Sequence, residues 1–77
     1  MNDCARKEFA VELYSKTDHS FVEQIDVYES EEEASQAILR FGKDENFEIE
    51  LQNSYFGILC IEYDENENEI NAYRINE

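Results

Sequence analysis

Ser30-Glu31-Glu32-Glu33-Ala34-Ser35-Gln36-Ala37-Ile38-Leu39-Arg40-Phe41-Gly42 is the stretch whose reading decides the fold. Ser30 followed three residues later by Glu33 is a capping box, in which the serine oxygen takes an orphan amide of the first helical turn. The acids of that turn also suit the positive end of the helix dipole. Ala34, Ala37, Ile38 and Phe41 fall at i, i+3, i+4 and i+7 and make one apolar stripe. Gly42, with Arg40 and Lys43 beside it, supplies the stop. The sequence thus predicts one helix over 30–41, about three turns long, that needs an apolar surface to lie on.

Both flanks provide that surface as strands. On the N-terminal side, Phe9, Val11 and Leu13 alternate with Glu8, Ala10 and Glu12, the period of a half-buried strand. Ser15 to Ser20 reads as a turn, after which Phe21, Ile25 and Val27 repeat the inward pattern while Gln24 and Asp26 point out. On the C-terminal side, Phe47, Ile49 and Leu51 alternate with Glu48 and Glu50, which predicts a third strand closed by a Gln52-Asn53-Ser54 turn. Tyr55 to Ile61 is apolar on both faces, as a central strand is, and Gly57 within it marks a bulge or a close backbone approach. Asp64 to Asn68 forms a turn before a final strand over Ile70 to Ile75. The fold class is α+β: an antiparallel sheet of four or five strands in the order ββαβββ, one helix packed on one face. Phe9, Val11, Leu13, Ile25, Val27, Ile49 and Leu51 are expected to meet Ala34, Ala37, Ile38 and Phe41.

The chain reads as a single acidic domain over 1–77, with 1–6 expected to fray. At 77 residues the core is small, since a domain of this size buries only about 60% of its unfolded surface. Hydrophobic residues make up 42%, with five Phe and five Tyr, too rich for a disordered acidic tail. Cys4 and Cys60 are not expected to bridge. Without an apolar leader or a stretch long enough to span a bilayer, the expected compartment is cytoplasmic, with both thiols reduced.

Twenty Asp and Glu stand against six Lys and Arg, a formal net charge of −14. Such a field repels nucleic acid and anionic membranes and draws basic protein surfaces at raised rates. Solubility alone needs less, a magnitude of about 2 to 8 in a small domain. The expected partner is therefore a basic protein, with no direct nucleic acid and no membrane. Self-repulsion also leaves room for a homodimer or a bound partner to supply stability.

If Phe9, Val11 and Leu13 face the helix, Glu8, Glu12, Asp26, Glu48 and Glu50 share the opposite sheet face. Alternate side chains on a strand lie about 6.6 Å apart, which makes a flat array of carboxylates that presents regularly spaced negative charge to a surface built for a phosphate backbone. Glu29, Glu31 and Glu32 form a second acidic group, for which the helix dipole already gives a structural reason. Asp64 to Glu69 carries the opening oxygens of a calcium loop, but Glu69 stands where that loop needs Gly and Ile75 where it needs Glu. Cys4, His19 and Cys60 lack the paired spacing of a zinc site. His19 reads as a turn residue. No acid–base or nucleophile constellation is present, so no enzyme activity, metal or cofactor is expected. Tyr14, Tyr28, Tyr55, Tyr63 and Tyr73 are candidates for partial outward exposure among the acids, a composition seen at interfaces.

In size, acidity and α+β make-up, with Glu8, Glu12, Asp26, Glu48, Glu50 and the Glu29 to Glu33 cluster carrying the likeness, the chain resembles the small inhibitors of phages and mobile elements: anti-CRISPR proteins and other DNA mimics. That resemblance implies a non-enzymatic inhibitor of a CRISPR effector or nuclease, acting in the host cytoplasm if phage-encoded. An immunity or antitoxin protein against a basic toxin would use the same physics, and an acidic accessory domain would use the charge for solubility only.

Overall fold

The helical stripe and the alternating strands find each other as their periodicities require. The structure, a computed structural model, describes residues 4–75. Its elements are β1 (Arg6–Ser15), β2 (Phe21–Tyr28), α1 (Glu31–Phe41), a 3-10 turn (Glu45–Phe47), α2 (Glu50–Asn53), β3 (Ser54–Tyr63) and β4 (Glu69–Ile75). The four strands form one antiparallel sheet in the order β2-β1-β3-β4. The frayed end expected over 1–6 lies outside the described residues for 1–3. Arg6 is instead the first residue of β1, and Ala5 N–H donates to the Tyr63 carbonyl at 2.8 Å.

α1 begins as its sequence requires: the Ser30 hydroxyl accepts the Glu33 amide at 3.1 Å, and Glu31, Glu32 and Glu33 occupy the first turn. Ala34 and Ala37 are fully buried and pack with Val11 and Ile58, while Phe9, Ile25, Ile38, Phe41, Phe56 and Ile75 surround this cluster. The small alanines let the helix lie close on β1 and β3, where burial of apolar side chains supplies the main driving force. Gly42 ends the helix at φ −64°, so the stop does not use the left-handed conformation that glycine permits.

Two of the expected placements are corrected. The strand expected over 47–51 is absent: this stretch lies in the 3-10 turn and α2. Asp44 caps the turn by accepting the Asn46 amide at 2.9 Å. Phe47 stacks with Phe41 and Phe56 at centroid distances of 5.3 Å each. Phe47 and Leu51 are four residues apart, so in helical backbone they share a face, whereas Ile49 turns outward and is 76% exposed. Ile49 is therefore not in the core. Nor is Val27, which pairs with Ala10 on the sheet face away from α1 and is exposed, as is Phe21. The cause is a pair of register shifts in β2, between Val11/Glu12 and Leu13/Tyr14, which break the simple alternation.

β1 and β3 are the central strands, joined along their whole length from Arg6↔Tyr63 to Ser15↔Ser54. On the face away from the helix no second layer is present among the described residues, yet Ala10, Glu12 and Tyr14 are buried there. The sheet covers itself. The Tyr14 ring lies across Gly57, where a Cβ would come within 2.3 Å of Tyr14 Cε2, so the glycine is required by a close approach. Arg74 stacks over that ring at 3.9 Å, and the Tyr14 hydroxyl donates to Glu12 Oε1 at 2.7 Å. Cys60 is buried and Cys4 exposed, both free.

Candidate partner-binding surface

The flat carboxylate array expected on the open sheet face does not form. Glu48 and Glu50 lie in the segment after α1, exposed but off the sheet. Glu12 is on the open face but only 5% exposed, held under Tyr14. Glu8, also on that face, is bound on both oxygens, by Arg6 Nη1 at 2.8 Å and by the Tyr63 hydroxyl at 2.9 Å. Asp26 sits on edge strand β2 opposite Val11, exposed, with Oδ1 accepting the Val27 amide. The open face is covered instead by arginine on tyrosine: Arg6 stacks on Tyr63 at 4.2 Å and Arg74 on the buried Tyr14. Arg6 also bonds Glu67, and Arg74 donates to the His19 carbonyl.

Accessible acid is concentrated elsewhere. Asp26, Glu29, Glu31 and Glu32 are all exposed, and they follow one another from the end of β2 through the turn into the first turn of α1. Successive helical positions radiate at about 100°. Glu31 and Glu32 therefore point in different directions around the helix N-terminus, with Glu29 just ahead of the cap and Asp26 on β2. The partial positive charge of the free helix amides stabilises Glu31 and Glu32 there. Glu48 and Glu50, with Asp44 and Glu45, which the sequence reading did not single out, form a second exposed group just past the C-terminal end of α1. The 11 residues of α1 set the two groups about 16 Å apart along the helix. Lys43 lies beside the second group, whereas Arg40 reaches the Tyr28 hydroxyl, which also bonds Asp26.

The remaining candidates have local roles. His19 is in the β1–β2 turn at φ 61°, its Nδ1 2.8 Å from the Tyr55 hydroxyl. Asp64 spends Oδ1 on the Asn66 and Asn68 amides at 2.8 and 2.9 Å, which shapes the β3–β4 turn around Glu67 at φ 65°. Of the five tyrosines, Tyr14 is fully buried, Tyr28, Tyr55 and Tyr63 are half-buried and Tyr73 is exposed. Among the described residues no cluster of His, Cys, Asp or Glu could hold a metal ion, and no helix is long and apolar enough to cross a membrane.

The bound carboxylates make stability depend on pH. Hydrogen bonds from Arg6 and then Tyr63 hold the Glu8 carboxyl below its usual range, Arg6 does the same for Glu67, and turn amides and hydroxyls lower Asp64 and Asp18. A carboxyl more acidic in the folded than in the unfolded chain stabilises fully above its unfolded pKa of about 4, and that contribution drains as pH falls through the lower folded value. Protonation of the other acids relieves repulsion over the same range, so the informative quantity is the difference between variant and parent. Glu8→Gln is expected to lower the melting temperature at pH 7 and to narrow its gap to the parent between pH 4 and 2. Parallel melting curves across that range would remove Glu8 as a source of the acid sensitivity.

Comparison with protein-family models, with curated proteins and with solved structures finds no match to this chain.

Proposed function

We propose that this protein is a non-enzymatic inhibitor that binds a basic, nucleic-acid-handling protein, such as a CRISPR effector or nuclease, and blocks access of nucleic acid to it. The observation that carries this reading is the exposed acid at the β2–α1 junction. With a net charge of −14, the chain has few cations, and Arg6, Lys7 and Arg74 are engaged within the fold by Glu8 and Glu67, by Glu62, and by Tyr14 and the His19 carbonyl. Asp26 shares the Tyr28 hydroxyl with Arg40, while Glu29, Glu31 and Glu32 stay exposed at the start of α1. Lysines and arginines that neutralise phosphates on a nucleic-acid channel are the natural complement, and the protein would compete with phosphate for them.

Capture from a lysate followed by mass spectrometry, repeated across salt concentrations, tests the proposal. A nucleic-acid-binding protein is expected to be retained at about 50 mM salt and released by about 500 mM, where exposed charges are screened beyond a few ångströms. Added nucleic acid should compete for it. A specific partner held equally at both salt concentrations, or indifferent to nucleic acid, would exclude mimicry of this kind.

A further inference from the structure

A sheet of four strands has two free edges, here β2 and β4, and each free edge is a template for another strand. In β2 the two register shifts leave Asp26 to Tyr28 as the longest stretch in regular pairing with β1. The middle amide of that stretch, Val27, donates to Asp26 Oδ1 at 2.8 Å. In β4 the shift between Glu62 and Tyr63 leaves Asn71 to Ile75 regular against β3. Within it, Ala72 N–H donates to Asn71 Oδ1 at 3.0 Å. Strand residues point N–H and C=O to alternate sides, so an amide taken by the preceding side chain is one that faces away from the neighbouring strand. The same device therefore occurs on both edges, in the longest regularly paired stretch that each edge has among the described residues.

We infer that Asp26 and Asn71 close the two edges of the sheet against strand-to-strand pairing with a second copy of this chain. A ladder that runs through the middle of either stretch meets the Val27 or Ala72 amide, and each is already satisfied by an oxygen that travels with the strand. An incoming strand would have to break that bond to make its own, and it would gain little by the exchange. The device does not depend on the proposed function, because it concerns only how the sheet ends.

Net charge also discourages self-association, so the two effects must be separated by screening. At about 0.5 M salt the Debye length falls below about 5 Å, and charge repulsion between copies is largely removed. Sedimentation velocity at that salt is expected to show a monomer for the parent and for the exchange variant Asp26→Asn with Asn71→Asp, which keeps both acceptor oxygens and the net charge. Asp26→Ala with Asn71→Ala is expected to self-associate at least about tenfold more tightly, and its Val27 and Ala72 amides to exchange about tenfold faster while monomeric, the scale of one lost hydrogen bond. Each single alanine variant opens one edge and serves if the double variant does not fold. Alanine variants that stay monomeric at every concentration would overturn the inference. So would a parent that associates with its Val27 or Ala72 amide protected in the complex.

Discussion

Tyr14→Ala is expected to lower the unfolding free energy by about 3–5 kcal/mol, the range for removing a large buried aromatic side chain. A domain of 77 residues has a total stability of only about 4–12 kcal/mol, so a large part of it rests on this ring. Tyr14 is fully buried although it lies on the sheet face that carries no second layer. It is held by Gly57 beneath, Arg74 above, Tyr55 at 5.7 Å to one side and Glu12 at its hydroxyl. Tyr14→Phe keeps the packing but deprives the buried Glu12 carboxylate of this donor, and it should cost about 1–3 kcal/mol. Gly57→Ala attacks the same arrangement from below. A Cβ there would stand 2.3 Å from Cε2 and 2.8 Å from Cδ2 of the ring, so the ring must leave its seat. About 3 kcal/mol is expected in the parent and close to none in the Tyr14→Ala background, because the clash has then lost its partner. Urea melts of the four members of this cycle measure the coupling. Additive effects would mean that Gly57 matters for some reason other than the Tyr14 ring.

Reversing Glu29, Glu31 and Glu32 together to lysine is expected to weaken binding to the captured basic partner by about a hundredfold at low salt, and by much less at high salt. Reversing Glu45, Glu48 and Glu50 changes the net charge by the same amount. It should weaken binding by no more than about tenfold, because Lys43 lies beside that group and its acids are spread over the 3-10 turn and α2. The equal change in net charge makes the comparison a test of place rather than of total field. The first triple variant also puts lysines at the helix N-terminus, which should cost about 0.3–1 kcal/mol for each of Glu31 and Glu32. Melting temperatures and dissociation constants are to be measured side by side, and folded protein in both variants is the condition for reading the binding. If the second triple variant loses more binding than the first, the working surface lies past the C-terminal end of α1 and not at the β2–α1 junction.

Much of the fold is legible in local patterns. The Ser30 capping box, the stripe of Ala34, Ala37, Ile38 and Phe41 and the turns at Ser15 to Ser20 and Asp64 to Asn68 all appear where short-range rules put them. The 47–51 stretch misled because its alternation of Phe47, Ile49 and Leu51 with acids satisfies a period of two, while Phe47 and Leu51 also satisfy i, i+4. The deciding signal was Asp44, a helix-capping residue two positions before Asn46, whose weight depended on an aromatic seat for Phe47 between Phe41 and Phe56. That seat exists only once α1 lies on β3.

The sequence by itself determined where the helix starts, where β1 turns into β2 and β3 into β4, and that the molecule is strongly acidic, because capping, turn chemistry and charge act over a few residues or not through the fold at all. Only the tertiary structure decided where the acid is accessible. Ala10 and Tyr14 at outward parity made β1 a central strand, and its closure against β3 drew Glu12 beneath Tyr14 and Glu8 between Arg6 and Tyr63. Among the carboxylates left exposed are Glu29, Glu31 and Glu32, where the chain leaves β2 for the helix, and Glu48 and Glu50, which lie off the sheet. Whether a charged side chain is bound or free depends on which residues distant in sequence arrive beside it, and that is set by strand order and register rather than by its neighbours along the chain.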